Sequence, residues 1–394
     1  MNADRLWQRA VLVVLALLGV YHAWLLGAGA LAFPDEHLYR HSLAAGSALL
    51  KGNPGTFAAE ISAWGSRPAE YLVRLPSALV QLALEACTGL SPLSPRSLPV
   101  AAAQNVVVSL LLGLVFYQIA ASLLPGDAAG VVSIGFALLT SNQQWVRHMV
   151  PYDLALALHL WALRLALASG HTPAPNGLWS RIGLIGGLWV VASGLYPLVF
   201  ARWRAAGGPW SLLLLAMALA TLVALGRCDA SSSALRARRA GLISGIALAT
   251  YPAYYSFVPA VVLVAGLSGT RFRPFVNRIA LRNMAAAAIG AGVVVCFFEA
   301  LSRAGGVSYL GSARILSSTI TQGEFNEGFV FLGKWLASID GPAALWILPL
   351  GLVGLLRWPR INDDDPAEES RRAIFFVALA FLGLYLIYGF QSAV

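Results

Sequence analysis

The sequence predicts an all-α polytopic membrane protein, and three observations carry that expectation. Hydrophobic residues make up 58% of the 394 positions and charged residues only 11%. A soluble domain carries about 25% charged residues, so a soluble fold of this chain could not clothe its surface. The apolar residues come in runs close to the ~20 residues that a membrane helix needs. The net charge of +9 is almost all arginine, gathered in short clusters between those runs. That is the pattern of cytoplasmic membrane loops and not of a nucleic-acid-binding face.

About eleven transmembrane helices are expected, at 10–32, 98–124, 128–145, 152–169, 183–203, 209–226, 240–252, 254–268, 283–301, 342–357 and 373–391. The first follows Arg5 and Arg9, is long for a signal-peptide core and lacks a small-x-small cleavage site. It is therefore expected to be a retained span with a cytoplasmic N-terminus. Spans seven and eight are too short to cross unless tilted. Pro252 and Pro259 predict broken helices around a turn at 251–256, which is tolerated at membrane depth only under cover of protein or a wet cavity. With this topology Arg236, Arg238 and Arg239, and the later pair Arg371 and Arg372, fall on the inside, as the positive-inside rule requires.

Two long outer segments remain, 33–97 and 302–341. The semi-apolar stretch 71–90 is interrupted by Arg74, Gln81 and Glu85, so the first outer loop is expected to hold helices lying on or dipping into the interface. The chain divides into a module at 1–170, containing that loop, and the remaining helices at 171–394. No separate soluble domain is expected. Cys87, Cys228 and Cys296 lie far apart in or beside apolar runs and are not expected to pair.

The chemistry-bearing residues gather beside the expected outer face. Asp35 and Glu36 follow Pro34 directly after the first span. An acidic pair there suits the first turn of a helix, and it is also costly at a membrane face unless compensated. His37 and His41 share a helical face, so Asp35, Glu36 and His37 are candidate ligands for a divalent metal, although no two-His zinc helix motif is present. A second constellation runs from Gln144 to Asp153 and contains Arg147 and His148. Asp153 opens the fourth span, either as a helix-start residue or as a second carboxylate facing the same cavity. A third contains Arg67, Glu70, Tyr71 and Arg74. These arginines suit bidentate contact with a phosphate, and they suit snorkelling or pairing with Glu60 and Glu70 equally well. Glu299, Glu324 and Glu327 are lesser candidates.

Taken in order, these pieces resemble the GT-C superfamily of membrane glycosyltransferases, closest to the branch of protein O-mannosyltransferases and the lipid A aminoarabinose transferase. The resemblance rests on Asp35-Glu36 after the first span, the Arg67-Pro68-Ala69-Glu70-Tyr71 segment, Arg96-Ser97-Leu98-Pro99 opening the second span, and Arg147 ahead of Asp153. It covers roughly residues 10 to 170. The 67–71 segment lacks the second proline often found there, and Arg147 and Asp153 stand further apart than usual. Several members carry a soluble outer C-terminal domain, and here the chain stops after a span. Acceptor recognition is accordingly expected from loops or from a partner subunit.

The resemblance implies transfer of a sugar from a polyprenyl-phosphate donor to a glycan, lipid or protein acceptor, with inversion. The phosphate can leave without protonation, so the hard requirement is a base at the acceptor hydroxyl. Asp35 is the expected base, with Glu36 and Asp153 as further catalytic carboxylates stabilising positive charge on the sugar. Arg67, Arg74, Arg147, His148 and Tyr71 are the expected donor-phosphate contacts. A divalent cation, Mg2+ or Mn2+, is left open as cofactor, and the lipid tail is expected in a groove open to membrane lipid. The competing functions are a transporter or flippase of a lipid-linked glycan, which would place charges along a path at mid-membrane, and a non-catalytic subunit of a glycan-assembly complex.

Overall fold

A computed structural model describes residues 3–26, 28, 31, 34–146, 148–169, 232–252, 257–268, 278–321, 334, 337–346 and 374. Their regular structure is helical, without a strand among the described residues. Among the described residues three helices are long and apolar enough to cross a membrane: Arg5–Trp24, Leu98–Leu123 and Arg278–Ala304. At 1.5 Å per residue they measure about 30, 39 and 40 Å, against a hydrocarbon layer of about 30 Å. The protein is thus an α-helical membrane protein. The expected spans at 183–203, 209–226 and 373–391 lie outside the described residues, Ile374 apart, as do Arg147, Cys228, Glu324 and Glu327.

Helix α1 (Ala3–Trp24) begins and ends earlier than the apolar run implies. It stops ahead of Gly27 and Gly29, residues that weaken a helix interior. One side of α1 exposes Leu12, Leu17, Val20 and Trp24, as a helix at the lipid boundary does. The other side buries Val11 and Leu15 against Ala137.

The segment 34–88 folds into short helices. A 3-10 turn (Pro34–Leu38) leads into α2 (Tyr39–Leu50), α3 (Pro54–Ile61), α4 (Pro68–Val73) and α5 (Leu75–Thr88). Pro54, Pro68 and Pro76 each stand in the first turn of their helix, where a missing N–H costs nothing. Asn53 caps α3 by accepting the Thr56 N–H, and α5 ends on Gly89 in the left-handed conformation.

Helix α6 (Leu98–Leu123) is followed by α7 (Gly126–Leu138), the single turn α8 (Thr140–Gln143) and α9 (Tyr152–Leu167). The expected third span is therefore broken at Leu139, whose backbone is not helical. Asn142 Nδ2 donates to the Phe136 carbonyl at 2.6 Å, and Gln143 Nε2 donates to that of Ala137. These side-chain amides take the carbonyls that the backbone would use to continue the helix.

Beyond residue 231 come α10 (Ser232–Thr250), α11 (Phe257–Leu267), α12 (Arg278–Ala304) and α13 (Tyr309–Thr321), then a 3-10 turn at Pro342–Trp346. Helix α10 starts at Ser232, not 240. Its first turns carry Arg236, Arg238 and Arg239, good helix formers that hydropathy assigns to a loop. The expected break holds: α10 ends at Thr250 and α11 starts at Phe257, on either side of Pro252.

The largest core cluster joins Ile119 and Leu123 of α6, Ala162 and Ala166 of α9, Ala237 of α10, Val261 and Val264 of α11, and Met284 and Ala287 of α12. Residues on both sides of position 170 thus share one interior. Its tightest contact is the crossing of α10 and α12. A Cβ at Gly241 would collide with the Ala287 carbonyl, and one at Gly290 with the Arg238 carbonyl. Close backbone approach through small residues is how membrane helices gain packing contacts.

Candidate functional site

The 3-10 turn after α1 carries Asp35 and Glu36 in its first turn, and successive residues there point apart. The Asp35 side chain is 29% exposed, whereas that of Glu36 is 0% exposed. His37, one step on, is exposed.

Two donors from distant segments meet one oxygen of Asp35. Arg67 Nη1 donates to Oδ2 at 3.0 Å, and the Tyr152 hydroxyl donates to the same atom at 2.9 Å. No donor among the described residues meets Oδ1. The Tyr251 ring completes this corner. Its centroid lies 4.9 Å from that of Tyr152, edge to face, and 4.9 Å from the Arg67 guanidinium carbon, within cation–π range.

Behind Arg67 lies a buried ion network. Glu70 Oε2 is 4.0 Å from Arg67 Nη1, and Glu70 Oε1 is 3.6 Å from Arg74 Nε. Arg74 is 1% exposed, and its Nη2 donates to the Val150 carbonyl at 2.7 Å. Burial pushes the Glu70 carboxyl up to about 7, with Arg74 and then Arg67 opposing the shift. Burial likewise lowers the Arg74 guanidinium from its usual value, against the pull of Glu70. For Arg67 burial also disfavours the charge, but Glu70 and Asp35 outweigh it and the group is held above the usual arginine value. Burial raises the Tyr71 hydroxyl.

Glu36 faces the other way. Its Oε1 accepts the Met149 backbone N–H at 2.9 Å and lies 3.3 Å from His148 Nδ1. Asn105 of α6 donates through Nδ2 to the carbonyl of His148 and, at 3.4 Å, to that of Val150. Tyr39 of α2 is tied to α5 through Gln81, at 2.5 Å, and Gln81 donates to the Pro92 and Ser97 carbonyls. The loop helices are thereby bound to one another and to the start of α6.

The three constellations expected from sequence are therefore brought together: the acidic pair, the 67–74 segment and the 148–152 segment. Individual assignments change. Arg74, an expected phosphate contact, is sealed between Glu70 and Val150. Tyr71 is buried, with its ring 5.5 Å from that of His41. Asp153 is 4% exposed and shares no hydrogen bond with Asp35 or Glu36. Asp35, Glu36 and His37 do not converge as a ligand set, because the turn sends their side chains in different directions. Among the described residues no group of three His, Cys, Asp or Glu side chains is placed to hold a metal ion.

Glu299 also has a defined task. It accepts the Leu310 N–H at 2.8 Å, the Ser308 hydroxyl at 3.0 Å and Arg303 Nε at 2.7 Å, and so anchors the start of α13. A small void between α1, α6 and α7, lined by Leu15, His22, Leu110 and Gln143, touches none of the Asp35 contacts.

No family model, curated protein or solved structure matches this chain. Sequence reasoning did not single out Tyr152 and Tyr251 as site residues. The signal for Tyr251 was present in the Tyr251-Pro252 break between two apolar runs, since interrupted helices at membrane depth often line sites. Chemically, the corner offers one pinned carboxylate oxygen and one that no described donor meets, a guanidinium and two phenol rings beside an apolar bundle. Such a set can take a proton from a hydroxyl and balance negative charge.

Proposed function

We propose that this chain is an inverting glycosyltransferase that moves a sugar from a polyprenyl-phosphate donor to an acceptor at the outer membrane face, with Asp35 as general base. The observation that supports it is the state of the Asp35 carboxylate. Oδ2 is held by Arg67 and Tyr152, while Oδ1, which no described donor meets, is left to accept a proton from an acceptor hydroxyl. A base must be both fixed and reachable, and this carboxylate is both. Arg67, with Arg147 as the second candidate, balances the leaving phosphate. Positive charge developing on the sugar is offset by Asp35 itself.

The proposed topology has about eleven spans, a cytoplasmic N-terminus and the Asp35 corner on the outer side of a bacterial inner membrane. Arg236 and Arg282 support it. Arg236 Nη1 donates to the Ala168 carbonyl at 2.7 Å, and Arg282 Nη2 to Ser233 Oγ at 2.8 Å. Both sit at the end of α9 opposite Tyr152, and arginine gathers on the cytoplasmic side.

The test is turnover by purified protein in nanodiscs, using a panel of radiolabelled polyprenyl-phosphate hexoses and pentoses and following release of polyprenyl phosphate. Wild-type protein should consume at least one donor, and Asp35→Asn should lose about 100-fold or more of that rate. Near-normal turnover in Asp35→Asn removes it as the base. Donor movement between leaflets without sugar release would favour a flippase instead.

A further inference from the structure

We infer that Glu36 is a positioning residue, acting with Arg74 and Asn105 as a three-point clamp on the His148–Val150 backbone that sets Tyr152 on Asp35. The inference rests on the glycosyltransferase reading of Asp35 for its catalytic consequence, but not for its structural content.

Residues 148–150 lie between α8 and α9 in no regular structure, yet all three are buried. A buried irregular segment must satisfy its backbone groups outside any ladder. Side chains from three elements do so here. Glu36 of the 3-10 turn accepts the Met149 N–H at 2.9 Å. Arg74, at the end of α4, donates to the Val150 carbonyl at 2.7 Å. Asn105 of α6 donates to the His148 carbonyl and reaches that of Val150 at 3.4 Å. Two residues after Val150, the chain presents the Tyr152 hydroxyl to Asp35 Oδ2 at 2.9 Å. Glu36 and Asp35 are adjacent, so the turn that places the base also grips the segment that orients it. Glu36 is 0% exposed, which suits a fixed backbone acceptor and leaves no approach for an acceptor substrate.

Two measurements decide this. The first is hydrogen exchange of peptides spanning 145–152 in detergent-solubilised protein. Glu36→Ala should exchange about tenfold faster there, as expected when a buried amide loses a bond worth about 1.4 kcal/mol. Glu36→Gln should stay close to wild type, because its amide oxygen still accepts the Met149 N–H. The second is turnover on whichever polyprenyl-phosphate sugar the wild type consumes. Glu36→Gln should stay within about threefold of wild type, and Glu36→Ala should lose kcat with little change in donor KM.

Unchanged exchange in Glu36→Ala overturns the clamp. If Glu36→Ala fails to fold, Asn105→Ala takes its place, with the same expected rise at 145–152 and the same overturning result. Turnover in Glu36→Gln as low as in Asp35→Asn, with exchange still protected, overturns the positioning role and makes Glu36 a chemical participant. Wild-type protein that consumes no donor sinks the transferase reading alone, since the exchange arm still judges the clamp.

Discussion

The Tyr152 hydroxyl donates to Asp35 Oδ2 at 2.9 Å across 117 positions of sequence. This bond joins the 3-10 turn after α1 to the start of α9, and it shares its acceptor atom with Arg67.

Tyr152→Phe removes that donor and keeps the ring that packs on Tyr251 and Trp145. The loss of one hydrogen bond to a charged acceptor is worth about 1.5 kcal/mol or more, so kcat should fall about tenfold or more. Donor KM should change little. Steady-state kinetics in nanodiscs check it, and an unaltered kcat would remove Tyr152 from the site.

Arg74→Ala should act on stability and not on donor affinity. It strips a 1%-exposed guanidinium from Glu70 and the Val150 carbonyl. Breaking a buried pair costs about 3–5 kcal/mol. Thermal unfolding followed by size-exclusion chromatography should show a clear fall in midpoint. Normal stability with weakened donor binding would return Arg74 to the phosphate contacts.

Gly241→Ala and Gly290→Ala each place a methyl against backbone across the α10–α12 crossing. Neither carbonyl can swing aside as a flexible side chain would, so each variant should cost about 1–3 kcal/mol. Yield of monodisperse protein and midpoint temperature measure this. Full stability in both would mean the helices separate freely there.

Stability should fall as pH rises from about 4.5 to about 7. Glu70 is raised in the folded protein, chiefly by burial and secondarily by Asp35, against Arg74 and Arg67. The folded state therefore holds its proton more tightly than the unfolded state does. That contribution is complete below the ordinary carboxyl value and is lost as pH passes through about 7. Glu70→Gln should flatten the dependence in this window, as midpoint temperatures measured in steps from pH 4.5 to 8 would show. A wild-type profile rising across the same window would contradict it.

The membrane helices were legible because hydropathy reports lipid contact directly. Leu98–Leu123 matches its expected span almost to the residue, since Pro99 opens it and its apolar run is unbroken. Hydropathy failed where it was asked about helix length. The Arg-rich first turns of α10 and the break at Leu139 depend on propensity and on side-chain capture of carbonyls, which leave no mark in an apolar average. The acidic pair was legible as a costly feature at a membrane face, but its split into an exposed Asp35 and a sealed Glu36 was not. Adjacent residues differ only by the direction their backbone gives them.

Sequence alone determined that this chain lives in a bilayer, where its apolar segments lie and which segments carry charge, because burial preference and charge are properties of each residue. Only the tertiary structure decided that Arg67 and Tyr152 meet on one oxygen of Asp35, that Arg74 is enclosed and that Tyr251 completes the corner. Those relations span up to 184 positions, from Arg67 to Tyr251. They arise from how helices pack, and no local pattern encodes that packing.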